Sequence, residues 1–161
     1  MNKIIKVGMA ELDICKSPDG ISTLGLGSCV GVVLRDPGTK IGGMVHVMLP
    51  DSTKIRNSEN IAKFADTGIH ALIQKMIDAG ANRNALVAKI AGGAQMFNFQ
   101  NKLAVIRVGD RNIEACKEVL HAEKIPILAE DTGENYGRTV VFFPEDGKFI
   151  IRAVGKEEIF I

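Results

Sequence analysis

Two residues in this chain have side chains that could react with each other. Cys29 and His46 lie on either side of an Asp36-Pro37-Gly38-Thr39 turn, each in a run of apolar and β-branched residues. With the turn centred on the Pro37–Gly38 bond, position 36 pairs with 39, 34 with 41 and 29 with 46. A hairpin in that register sets Cys29 directly opposite His46, with Cβ atoms ~5 Å apart. At that distance an imidazole can deprotonate a thiol or pair with its thiolate, the chemistry of a nucleophilic cysteine and its base. The register is sensitive, because one bulged residue would move it and Gly25, Gly27 and Gly31 favour bulges. Spacing alone also leaves a second reading open, in which Cys29 is a small buried hydrophobe and His46 a satisfied core residue.

The remaining candidates have weaker grounds. Cys116 falls on the inner stripe of a helix with no His at contact spacing, and packing explains it. Cys15 ends a strand with nothing nearby to activate it. His70 and His121 lie in helices without an evident partner, and His121 beside Glu123 and Lys124 reads as solvated. Three cysteines without a CxxC spacing argue against both a disulfide framework and a zinc site. Ala91-Gly92-Gly93-Ala94 follows a strand as a phosphate loop would, but neither nucleotide fingerprint is present, so a tight, closely packed turn is the preferred reading. Glu130-Asp131-Thr132-Gly133 reads as a solvated turn rather than a metal site. No metal and no cofactor is expected.

The elements that must position this pair follow from periodicity. Residues 4–14 read as a first strand, closed by Ser17-Pro18-Asp19-Gly20. An extended region from Ile21 to Leu34, interrupted by its glycines, is followed by a strand from Ile41 to Leu49 that ends at Pro50. Between Asn60 and Ala79 the period becomes helical, with Ile61, Phe64, Leu72, Ile73, Met76 and Ile77 on one stripe and Gly80 as C-terminal stop. Strands are expected at 87–91 and 103–108. Asp110 then suits the cap of a helix reaching about Lys124, with Ile113, Cys116, Val119 and Leu120 inward. Strands at 125–128, 139–143 and 149–154 complete the chain. Two helices against about eight strands give an α+β class, helices layered on largely antiparallel sheet.

Length and composition narrow the function. One domain spanning residues 1–161 is expected, with 46% apolar and 24% charged residues, enough to bury a core without staples. Twenty basic and 19 acidic residues nearly cancel, so no global field favours nucleic acid. Trp is absent and Tyr136 is the only Tyr, which removes a base-stacking platform. No export signal and no run of ~18 apolar residues is present, so a cytoplasmic protein that does not insert into membrane is expected.

Several ordered motifs resemble one family. Leu24-Gly25-Leu26-Gly27-Ser28-Cys29-Val30, Asp36-Pro37 and His46-Val47-Met48-Leu49-Pro50 are similar to the signature of CheD proteins, the bacterial chemoreceptor glutamine deamidases. The likeness continues through Phe64-Ala65-Asp66, Lys89 to Phe97, Arg111-Asn112, Ala129 to Gly133 and Gly137-Arg138. The resemblance implies a Cys-His-Thr set, matched by Cys29 as nucleophile, His46 as general base and acid, and Thr23 as the group that orients His46. Gly27 and Ser28 would then belong to the loop that receives the oxyanion and substrate. It also implies a layered fold related to the catalytic domain of a bacterial cytotoxic necrotizing factor. Implied substrates are selected glutamines on the cytoplasmic helices of methyl-accepting chemoreceptors, with methyl-ester hydrolysis in some members. A CheC-type phosphatase is the implied partner. The competing expectation is a non-catalytic module that regulates such a phosphatase, with Cys29 merely structural. A straight strand would leave Thr23 ~20 Å from Cys29, so the glycine-rich stretch between them must bend.

Overall fold

The computed structural model describes residues 2–54, 60–96 and 107–161. Among these are two five-stranded sheets and two helices. The first sheet has the order β1-β3-β8-β9-β10, formed by Ile4–Val7, Gly20–Leu26, Arg138–Phe143, Lys148–Arg152 and Ile159–Phe160. The second has the order β2-β5-β4-β6-β7, formed by Leu12–Lys16, Ile41–Val47, Val30–Asp36, Val87–Gly92 and Ile127–Thr132. Each sheet contains one parallel pair, β1 with β3 and β6 with β7, and is otherwise antiparallel. Helices α1 (Ala65–Asp78) and α2 (Val108–Ala122) cover the second sheet.

The layering follows from the strand patterns. In β4, Val30, Val32 and Leu34 face the helices, where they meet Ile69, Leu72 and Leu120. The alternate residue Val33 faces the first sheet with Met44, Ile21, Val140, Phe142 and Phe149. Burial on both faces explains why β4 and β5 read as continuous apolar runs rather than alternating ones. Phe142 and Phe149 meet edge to face, centroids 5.9 Å apart, and burying each contributes about 1.5–3 kcal/mol. The α+β class expected from the sequence is the class observed.

Several boundaries differ from expectation for identifiable reasons. The strand expected over 4–14 is two strands in different sheets, broken at Gly8–Glu11, where Ala10 adopts φ 57°. The extended region 21–34 likewise divides between sheets. Helix α1 starts at Ala65 and not near Asn60. Asn60 instead caps a separate 3-10 turn through Ala62 N–H, and Phe64 is extended and buried while Ile61 is exposed. Asp110 lies inside α2 and does not cap it; Arg107 occupies the N-cap position without a side-chain cap. Of the strand expected at 103–108, residues 103–106 lie outside the described residues and Val108 opens α2. Glu130 to Thr132 belong to β7 rather than a solvated turn, with Glu130 bonded to Lys117 and Asp131 to Arg138.

Candidate active site

The β4–β5 turn sets the register on which the site depends. It holds four residues, 37–40, not two, because Lys40 takes φ 57° and donates its N–H to Asp36 O at 2.8 Å. The Asp36 carboxylate locks it, accepting from Gly38 N–H, the Thr39 hydroxyl and Asn82 N–H. Pairing therefore runs 36 with 41, 30 with 47 and 31 with 46, so His46 faces Gly31 and not Cys29. The shift is two residues, which preserves the face. Cys29 becomes a diagonal neighbour of His46 just beyond the last rung, a relation that places Cβ atoms somewhat under about 7–8 Å apart in a regular ladder. A side chain at position 31 would begin 3.1 Å from Leu26 Cδ1, so glycine keeps this face clear opposite the imidazole.

His46 projects from β5 into the space between the sheets and is fully buried. Its backbone is fixed on the far side, where its N–H donates to Glu11 O at 3.0 Å and its carbonyl accepts from Ala10 N–H at 3.2 Å. Thr23 comes from the facing sheet and is equally buried. Its Oγ1 lies 2.7 Å from His46 Nδ1 and 2.7 Å from Val7 O. A hydroxyl has one proton and a carbonyl can only accept. Thr23 therefore donates to Val7 and accepts from His46 Nδ1–H. That fixes the neutral tautomer and leaves Nε2 as the basic nitrogen. Nε2 is buried and has no hydrogen-bond partner among the described residues.

The chain between Thr23 and Cys29 crosses from one sheet to the other. The β3–β8 ladder is irregular between Thr23 and Leu26, Gly25 takes φ 69°, and Gly27 N–H folds back on Gly25 O at 3.0 Å. This crossing replaces the extended strand whose length stood against a meeting of the three residues. The Gly92–Gly93 backbone then holds the loop. Gly93 N–H donates to Cys29 O and Ala94 N–H to Gly27 O, both at 2.8 Å. A Cβ at Gly92 would lie 2.3 Å from Cys29 O, and Gly92 has φ 108°. This is the close backbone packing expected of that run.

Electrostatics separates the three thiols. Burial pushes Cys15 up to about 12, with Asp19 and then Asp13 adding repulsion, and burial alone takes Cys116 to about 12. Cys29 is only half-buried. Burial raises it too, but its own backbone N–H, turned toward the sulfur, opposes the rise. Burial lowers His46 below its ordinary 6.5. The two shifts favour a neutral thiol and a neutral imidazole over a standing ion pair, and the unpartnered Nε2 is not hydrogen-bonded to the Cys29 sulfur in this structure. Such a site can remove a thiol proton as the sulfur attacks a carbonyl carbon.

Other residues stand apart. His70 does have partners, since its ring nitrogens meet Glu123 and Asp66 O, but these lie at the exposed helix surface. His121 is exposed. Among the described residues no three His, Cys, Asp or Glu side chains are arranged to hold a metal ion, and no helix is long and apolar enough to cross a membrane. Sequence alone assigns no role to Val7, which acts through its carbonyl, or to Asn112, whose fully buried amide reaches Ser28 O and Met48 O. A backbone acceptor has no signature in sequence. Asn112 could have been found as the one amide among the inward positions of α2.

Residues 48–153 match the family model described as CheD chemotactic sensory transduction. A protein of Lachnoclostridium phytofermentans, named "Probable chemoreceptor glutamine deamidase CheD", is 63% identical over 98% of both chains. Proteins of the same name from Caldanaerobacter subterraneus and Syntrophomonas wolfei are 52% and 47% identical. The first match covers 96% of this chain and 95% of the relative, and the second covers 98% of each.

Proposed function

The chain belongs to the CheD family, and from that premise we propose that it is a chemoreceptor glutamine deamidase. Its substrates are glutamine side-chain amides on the cytoplasmic helices of methyl-accepting chemoreceptors, which it converts to glutamate and ammonia. One observation carries the chemistry: His46 donates Nδ1–H to Thr23 and keeps Nε2 bare, on the face it shares with the half-buried Cys29.

In this reading His46 Nε2 takes the Cys29 proton as Sγ bonds to the glutamine Cδ. The carbonyl electrons move onto oxygen, which accepts hydrogen bonds from the Ser28 and Cys29 amides. The Gly27 amide is committed to Gly25 O, so Gly27 contributes the bend and not a donor. Collapse breaks the C–N bond, and the nitrogen leaves as ammonia with the proton from Nε2. Nε2 next removes a proton from water as it attacks the thioester. The C–S bond breaks, and the sulfur recovers its proton from the imidazolium. Thr23 keeps the ring oriented throughout.

The whole chain, residues 1–161, acts as one deamidase domain in the cytoplasm, and a CheC-type phosphatase is its regulatory partner. The test is incubation of the full chain with a receptor cytoplasmic fragment, followed by peptide mass spectrometry and ammonia measurement. Glutamine-to-glutamate conversion by the native protein and none by Cys29→Ala is the expected result. Unchanged receptor glutamines would leave Cys29 without this role.

A further inference from the structure

Three consecutive carbonyls of the nucleophile loop are each tied down. Gly27 O and Cys29 O accept from the backbone of Ala94 and Gly93. Ser28 O, between them, accepts from a side chain: Asn112 Nδ2 of α2 at 2.9 Å. The same nitrogen donates to Met48 O at 3.0 Å. Both acceptors are carbonyls, so the NH2 end of the amide must face them, and both of its protons are used. Oδ1 is buried and has no partner among the described residues.

The two carbonyls are 20 residues apart in the chain and lie just past the end of the same ladder. The β4–β5 pairing stops at Val30 with Val47. Ser28 lies two residues before that rung and Met48 one after it, on the segments that carry Cys29 and His46. Asn112 bridges them where the ladder no longer does. It also sets the rotation of the Ser28–Cys29 peptide. In a trans peptide the N–H points opposite to the C=O. Holding Ser28 C=O against α2 therefore turns the Cys29 N–H away from α2.

We propose that Asn112 is a positioning residue for this reaction: it aims the Cys29 amide toward the sulfur and the developing oxyanion, and fixes the nucleophile loop against the strand of His46. The role in turnover rests on the deamidase reading, while the effect on Cys29 does not. Asn112→Leu has similar volume, no charge and no donor. For the folded variant, kcat on a receptor fragment falls on the order of 10²-fold, as for loss of an oxyanion donor, with KM nearly unchanged. The pH midpoint of Cys29 alkylation by iodoacetamide rises by roughly one unit, since the amide no longer supports the thiolate.

A folded variant with native kcat, or with lower kcat but an unmoved alkylation midpoint, overturns the proposal. Absence of deamidation by the native protein would sink the deamidase reading, but the midpoint would still test the effect of Asn112 on Cys29. Should Asn112→Leu not fold, the native protein supplies the measurement. Alkylating Cys29 then shifts the Asn112 side-chain amide resonances, and unmoved resonances overturn the link.

Discussion

Thr23 and His46 approach from opposite sheets and meet at 2.7 Å, and the Thr23 oxygen passes the connection on to the carbonyl of Val7. The imidazole is thereby tied to the parallel strand pair formed by β1 and β3.

Removing the hydroxyl should cost less than removing the imidazole. On the proposed mechanism, His46→Ala loses proton transfer in both half-reactions, worth ~10²–10⁴-fold in rate. Thr23→Val loses one orienting hydrogen bond of about 1 kcal/mol net, somewhat under tenfold. Thr23→Ser keeps the bond and most of the rate. Nitrogen NMR of His46 should report a protonated Nδ1 in the native protein and mixed tautomers in Thr23→Val. A folded Thr23→Val as inactive as His46→Ala would contradict a purely orienting role.

Alkylation should single out Cys29. With Cys15 and Cys116 both buried and raised to about 12, their thiolate populations are negligible near neutrality. Peptide mapping after brief iodoacetamide treatment should show Cys29 modified faster by more than about tenfold. Equal labelling of the three would be inconsistent with this ordering.

The pH profile should be a broad bell. On the proposed mechanism, activity requires one proton shared between Cys29 and His46. Below the lowered His46 value the imidazolium cannot accept the thiol proton, so the acid limb lies under 6.5. Above the raised Cys29 value that shared proton is gone and ammonia lacks its donor, so the alkaline limb lies above 9.0. These limbs belong to the coupled pair. An acid limb above 6.5 in initial rates would show that a carboxylate or the thiolate dominates His46 instead.

Gly92→Ala should damage the site from behind. Its methyl would press on Cys29 O, and the positive φ alone costs on the order of 1–3 kcal/mol. For a chain of this size that lowers the melting temperature by about 2–4 °C per kcal/mol. Activity at temperatures where the variant is folded should fall further than stability explains, because the Cys29 carbonyl must move. Gly133→Ala is the control, with a positive φ but open space around it. It should melt lower yet keep the native rate.

Much of this was legible in the sequence, and the failures have common causes. Hairpin symmetry about a two-residue turn sets Cys29 directly opposite His46, whereas the four-residue turn puts Gly31 there, a shift of two residues. Lys40 in a left-handed conformation carries no obvious mark, and only the even size of the error kept both side chains on one face. The α2 stripe was visible because Cys116 and Leu120 recur at helical spacing and both are fully buried. The division of residues 4–14 and 21–34 between two sheets was not visible. In 21–34 the strands β3 and β4 are largely buried on both faces and show no alternation to mark the crossing. In 4–14 the strands β1 and β2 are short and mostly half-exposed, and the left-handed Ala10 between them carries no obvious mark. Strand β10 is too short to show any alternation. The role of Asn112 depends on where two distant carbonyls end up, which no local pattern encodes.

Because Thr23 and His46 belong to different layers, the bond between them spans a filling made of Ile21, Met44, Val140, Phe142 and Phe149. A close-packed interior compresses little and transmits strain. The thickness of that filling therefore sets the geometry of the nitrogen proposed to accept the proton. Hydrostatic pressure would change the rate with a measurable activation volume, and a methyl group added deep in the sandwich would alter that volume, long before the sheets separate.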